Sequence, residues 1–250
     1  MLKVALMFRA AVLCYAAGPA YIGLPWGAVI VETKPISAGV RANRALILWM
    51  RNPERHELVD PYPYQDMTLG SYYLGRTRVS LVDTATRRVI NSLPVRWDRN
   101  DAKDEFGIPY KIYRGYYHVP EVDGDEERGK PEILYLRDFK GDGQALEFAF
   151  FEAAESLEFR TTLYGYSPKQ DRVIQYCVEL ENVDDGSVED LVWVNYLFSR
   201  EQDAPGHWKY EIDYRGRGGC LMKYDVRYDA PSERFRGTIA VICPVDQYKK

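Results

Sequence analysis

The chain has 250 residues, 46% of them hydrophobic and 28% charged, and a net charge of −4. This length allows one large or two small domains with a sizeable core, the charge leaves no basic footprint for nucleic acid, and no apolar run reaches the roughly eighteen residues of a membrane-spanning helix. Tyrosine is the outlier at 20 residues, joined by 9 Phe and 5 Trp, a composition that favours pleated, half-buried surfaces over helices.

Met1–Arg9 carries Lys3 and Arg9 with no acid, Ala10–Ala17 is short and apolar and contains Cys14, and small residues follow through Ala20. The order basic, apolar, small is that of a secretory signal. Residues 1–20 are therefore expected to be a signal peptide, residues 21–250 a single domain, and the protein secreted or periplasmic. A first strand or helix of the fold is the competing reading, because Arg9 shortens the apolar stretch. Cleavage near Ala17 or Ala20 removes both cations and leaves 31 basic against 37 acidic residues, a charge of −6. Leu13 is too bulky to precede a lipidated Cys14.

Beyond the leader, Gly27–Thr33 and Ala45–Met50 are short apolar runs read as strands. Asp60–Asp66 holds two prolines, which remove backbone donors, and is read as a rigid loop presenting Tyr62 and Tyr64. Thr77–Val95 is the clearest hairpin, with short polar side chains from Asp83 to Arg88 at its turn. Tyr110–Val119 reads as a tyrosine-rich strand and Glu121–Lys130 as a solvated acidic loop. Strands are expected at Phe159–Tyr166, Arg172–Leu180, Leu191–Phe198, Trp208–Tyr214, Leu221–Tyr228 and Arg236–Cys243, separated by turns. Strands every ten to fifteen residues, with almost no helical period, give an all-β fold. Two architectures fit: an irregular β-propeller-like form of about five blades, or a β-sandwich with long loops.

The segment Val79–Val95, with its Asp-Thr-Ala-Thr turn, resembles a single repeat of YVTN-type β-propellers. A second resemblance lies at Leu136–Phe150, where Asp138, Asp142 and Glu147 bring three carboxylates into ten residues around Gly141 and Gly143. Asp138, Gly141, Asp142 and Gly143 match the first, fourth, fifth and sixth places of the Asp-x-Asn-Gly-Asp-Gly-x-x-Asp loop of FG-GAP and VCBS repeats. The resemblance implies Ca²⁺ held by Asp138, Asp142, Glu147 and the Gln144 carbonyl, in a strand–loop–strand unit flanked by Ile133–Leu136 and Leu146–Phe151. Hard cations want six to eight oxygens. Lys140 stands where the family has an oxygen ligand, and the closing acid is displaced by one residue. The competing reading is a glycine turn in which Lys140 neutralises a carboxylate.

Three cysteines remain in the mature chain, and Cys220 and Cys243 lie symmetrically about Ala230–Glu233, so that a hairpin there brings them together. Three buried thiols is the alternative. The three histidines lack metal-ligand spacing. Neither a nucleophile elbow nor a phosphate loop is present. Trp208 with Tyr210, like Tyr62 with Tyr64, offers rings to a glycan or protein ligand, against the alternative of strand packing. The expected function is an exported, non-enzymatic binding or structural module, calcium-stapled if the loop holds its ion. The alternative is a carbohydrate-active hydrolase or lyase with paired carboxylates.

Overall fold

The computed structural model describes residues 21–37, 41–56, 72–96, 106–108, 132–155 and 158–243. The leader, the proline loop with Tyr62 and Tyr64, and the expected elements at Tyr110–Val119 and Glu121–Lys130 lie outside them. The described residues are all-β and contain no α-helix. In order they form β1 (Ala28–Pro35), β2 (Arg44–His56), β3 (Tyr72–Asp83), β4 (Arg88–Val95), β5 (Phe106–Ile108), β6 (Glu147–Glu155), β7 (Glu158–Ser167), β8 (Arg172–Tyr176), β9 (Val178–Asn182), β10 (Val188–Leu191), β11 (Val194–Asn195), β12 (His207–Asp213), β13 (Leu221–Asp229) and β14 (Arg234–Ile242). Among the described residues no helix is long and apolar enough to cross a membrane.

Three open sheets result. The N-terminal sheet is a meander, β1-β2-β3-β4, with β5 pairing the start of β3. The middle sheet is ordered β11-β7-β6, with β8 also on β7. The C-terminal sheet runs β10-β9-β14-β13-β12, antiparallel except for the parallel pair β14–β9. Turn chemistry sets the hairpins: Asp83 Oδ1 accepts the Thr86 N–H at 2.8 Å, and Arg87 takes the left-handed conformation (φ 55°) that closes β3 onto β4.

The middle sheet has the N-terminal sheet against one face and the C-terminal sheet against the other. On the first face Phe150 packs on Phe106, ring centroids 5.6 Å apart, and the Tyr164 hydroxyl donates to the Pro94 carbonyl at 2.9 Å. On the second face Tyr176 meets Tyr228 and Phe235, each at 6.1 Å. Asn91 of β4 joins two sheets by imitating a strand partner: its amide donates to the Val173 carbonyl and accepts the Val173 N–H, at 2.8 and 3.0 Å. Arg44 adds a two-pronged bond to Asp171 and another to Asp83, and the Arg44 guanidinium holds the Asp171 carboxyl down to about 2. The outer face of the N-terminal sheet is covered by the chain's first described turn, with Tyr21 against Ala45, Ile47, Trp49 and Val82.

Three expected strands come out differently. The apolar run Leu191–Phe198 is broken: Leu191 ends β10 in the C-terminal sheet, Val194–Asn195 pairs with β7 in the middle sheet, and Leu197–Ser199 is a 3₁₀ turn entered through Tyr196 at φ 60°. A segment that changes sheets turns both its sides towards neighbours, which is why it is apolar except at Asn195 and carries no alternation. Arg172–Leu180 likewise splits at Cys177 as the chain passes from β8 to β9. Ile133–Leu136 is no strand. Its backbone donors go to a side chain, with Ile133 and Leu134 N–H bonded to the two oxygens of Glu32 at 2.9 and 3.1 Å.

Cys220 and Cys243 form a disulfide one step beyond the last β13–β14 pair, Leu221 with Ile242. Cys177 lies outside it. The bridge closes a 23-residue separation. Its replacement by two serines is expected to lower the unfolding free energy by about 3 kcal/mol in urea titration under oxidising conditions. An unchanged midpoint would mean that the bond does not form in the protein.

Candidate functional site

The central loop is closed by a reciprocal backbone pair, Arg137 N–H to the Glu147 carbonyl and Glu147 N–H to the Arg137 carbonyl, at 2.7 and 3.2 Å. Inside that closure each side chain named by the sequence has a definite partner. Asp138 turns its carboxylate onto the loop's own backbone, accepting N–H groups of Gly141, Asp142 and Gly143 at 2.7, 3.2 and 2.8 Å. Asp142 Oδ1 accepts the Gln144 N–H at 2.9 Å, and the Gln144 carbonyl accepts the Leu146 N–H at 3.0 Å. Glu147, the first residue of β6, is fully buried and accepts the Phe139 N–H at 3.2 Å.

Lys140 holds the centre. Its Nζ lies 3.0 Å from Asp142 Oδ2 and 3.1 Å from Glu147 Oε1, with its side chain almost wholly buried, and it faces the Tyr228 ring at 6.0 Å. Two glycines make the position reachable. Gly141 (φ 72°) lies so close to Pro205 that an added Cβ would sit 2.3 Å from its carbonyl carbon, and a Cβ on Gly206 (φ 68°) would sit 2.3 Å from the Lys140 carbonyl oxygen. The loop and the 202–206 turn therefore pack backbone to backbone, in contact distances only glycine permits. Gln202 ties them, donating to the Asp138 carbonyl at 2.8 Å and accepting the Gly206 N–H at 2.7 Å.

Burial dominates the electrostatics. It pushes the Glu147 carboxyl up to about 8, against the opposing pull of the Lys140 ammonium. Burial also works against the charge on Lys140, yet Glu147 and Asp142 together leave that ammonium above its ordinary value. Tyr176 is raised by burial first and by the Glu147 charge second, and its hydroxyl is buried without a hydrogen-bond partner.

This geometry fits an ammonium rather than an added divalent ion. Asp138 faces backbone donors, the Gln144 carbonyl is bonded within the turn, and Lys140 stands where Asp142 and Glu147 converge. Among the described residues no group of three or more His, Cys, Asp or Glu side chains is placed to hold a metal.

The aromatic expectation needs correction at two positions. Trp208 is 1% exposed and Tyr210 8%. They occupy the inward positions of β12, alternating with Lys209 and Glu211. Trp208 packs on Phe198 and Phe235 at 5.9 and 5.6 Å, and Tyr210 stacks on Tyr224 at 4.6 Å. They are core residues, not a presented surface. Tyr62 and Tyr64 lie outside the described residues.

A groove that the sequence did not reveal opens where the middle and C-terminal sheets diverge, with a volume of about 550 Å³. Arg160 of β7 and Asn195 of β11 line one side, and Leu180, Tyr224, Ile239 and Val241 the other. Asn195 Oδ1 is buried without a hydrogen-bond partner. Arg160 is paired with Glu158 at 2.7 Å. The one legible signal was the strongly apolar run at Leu191–Phe198, whose break between two sheets lies along the groove.

No family model matches the chain, and neither the curated proteins nor the solved structures contain a match.

Two outcomes are expected from the loop. Because Lys140 supplies the positive charge, the melting temperature should be the same in millimolar Ca²⁺ and in chelator; a higher value with Ca²⁺ would restore the ion to the loop. The folded Glu147 carboxyl binds its proton more tightly than the unfolded one, whose ordinary value is 4.5. Its contribution to stability is therefore fully present below that value, declines as pH rises, and is lost beyond about 8. The fall in urea midpoint between about pH 5 and about pH 9 should be smaller in Glu147→Gln than in the natural chain. Equal falls would remove Glu147 from the alkaline response.

Proposed function

We propose that this protein is an exported, all-β binding module, a sandwich-like stack of sheets that takes an extended glycan or peptide into the groove between its middle and C-terminal sheets. The observation that carries the reading is the groove itself, where an apolar floor of Leu180, Ile239 and Val241 meets the Tyr224 ring, with Arg160 and Glu189 among the polar residues that line it. Ligand sites commonly combine such apolar lining with a few convergent polar groups. The Cys220–Cys243 bond supports export, since disulfides persist in oxidising compartments, and so does the leader-like order of residues 1–20. Sandwich-like packing is supported by the two covered faces of the middle sheet, which differ from separate blades set around an axis.

Glu158, Glu189 and Asp190 line the same groove, which favours one second reading, a hydrolase or lyase acting on a polysaccharide with paired carboxylates. The two readings separate in a single screen. Immobilised glycan and peptide arrays should yield a ligand that the natural chain binds unchanged, and Val241→Arg, which places a cation on the apolar floor, should weaken that binding at least about tenfold, or 1.4 kcal/mol, without altering the melting temperature. Binding indifferent to Val241→Arg would move the site elsewhere. Cleavage of a bound glycan that disappears in Glu189→Gln would establish the enzyme instead.

A further inference from the structure

The contacts of Lys140 are those of an amine held against a carboxyl group with an acid beside both. Its Nζ lies 3.0 Å from Asp142 Oδ2 and 3.1 Å from Glu147 Oε1, with its side chain almost wholly buried and the Tyr228 ring facing it at 6.0 Å. The other Asp142 oxygen, Oδ1, receives the Gln144 backbone N–H at 2.9 Å, a donor placed where negative charge would develop if the carboxyl carbon were attacked. We propose that Lys140 and Asp142 condense to an isopeptide bond, with Glu147 as the proton carrier.

The step balances without any co-reactant. Nζ loses a proton to the Glu147 carboxylate, and the neutral amine attacks Asp142 Cγ, forming the N–C bond while the electron pair moves onto Oδ1. Glu147 returns that proton to Oδ2, takes the second proton from nitrogen and delivers it in turn. The Cγ–Oδ2 bond breaks, Oδ2 leaves as water, and Glu147 ends as it began. The loop favours the sequence by geometry: it fixes nucleophile and carboxyl in the same short segment, 3.0 Å apart, replacing a bimolecular encounter by a held contact. The raised affinity of Glu147 for its proton suits a group that must both accept and donate near neutrality. The product would lock the turn between Lys140 and Asp142 covalently across Gly141, the residue in closest contact with the 202–206 turn.

The test is mass spectrometry of the full chain, denatured and reduced, followed by proteolysis and fragmentation of the peptide spanning residues 138–147. The expected result is a peptide lighter than its sequence by one water, with no backbone fragments from cleavage between Lys140 and Asp142. Lys140→Arg, which keeps the charge but not the nucleophilic amine, and Glu147→Gln, which keeps the shape but not the proton carrier, should both give the full sequence mass while retaining a cooperative melt. A natural chain at full mass overturns the proposal. So does a water loss that survives in Lys140→Arg, because Asp142–Gly143 can lose water by closing a succinimide on its own backbone. A loss that survives in Glu147→Gln overturns the role of Glu147.

Discussion

Strand β7 is covered on both faces, and the rest of the structure follows from what that demands. A strand buried on both sides cannot send its polar groups to water, so each must find a partner in a neighbouring element or carry the full penalty of desolvation. Thr161 donates to the Val194 carbonyl at 2.8 Å and accepts the Phe198 N–H at 3.1 Å. Thr162 accepts from Gln175, Ser167 donates to Glu233, and the Tyr164 and Tyr166 hydroxyls reach Pro94 and Asp171. Two of these bonds, from Tyr164 to Pro94 and from Ser167 to Glu233, reach the neighbouring layers, and the others tie the middle sheet's own strands and turns.

The same constraint explains the central loop. Glu147 pairs with Gly165 of β7 and faces the C-terminal sheet, so it brings a carboxyl into a place without water. A carboxyl group there needs a partner within reach, and the nearest is a lysine from the loop that precedes it. Lys140 meets this need, and Asp142 at the loop's exposed edge shares the ammonium. The loop curls around an internal cation, the Lys140 ammonium. Asp138 keeps the shape of that turn by serving as its acceptor for three backbone donors, a task independent of any ion.

Much of the fold was legible because its elements obey simple periods. The β3–β4 and β13–β14 hairpins carry turn residues at the right place, and the symmetry of Cys220 and Cys243 about the second turn allowed the pairing, with free thiols as the alternative until the register was known. β12 was legible too, but its meaning was misread: strict alternation of Trp208, Tyr210 and Ile212 with Lys209, Glu211 and Asp213 already places the aromatic side inward, whatever its suitability for recognition. What was not legible were the places where the chain changes sheets. At Cys177 and at Val192–Trp193 the hydrophobic pattern is continuous because burial is, while the partner strand changes entirely; only long-range pairing records the difference. Side-chain mimicry of backbone is equally silent in a sequence. Neither Asn91, bonded to Val173, nor Glu32, bonded to Ile133 and Leu134, sits in a pattern that announces it.

The groove is a consequence of those same sheet changes. β11 contributes only two residues, Val194 and Asn195, to the middle sheet before the chain turns away through Tyr196, so that edge of the sheet is short. β14 continues past it to Ile242, leaving Ile239 and Val241 half-buried on a face that is fully covered at Phe235. Apolar side chains that begin in the core and run out from under its cover form a floor without a ceiling. The acceptor left over on Asn195 belongs to the residue at which the cover ends. A structural layer could have ended in polar side chains there at little cost in stability; that it ends in Ile239 and Val241 is the physical reason for reading this edge as a place where something else completes the packing.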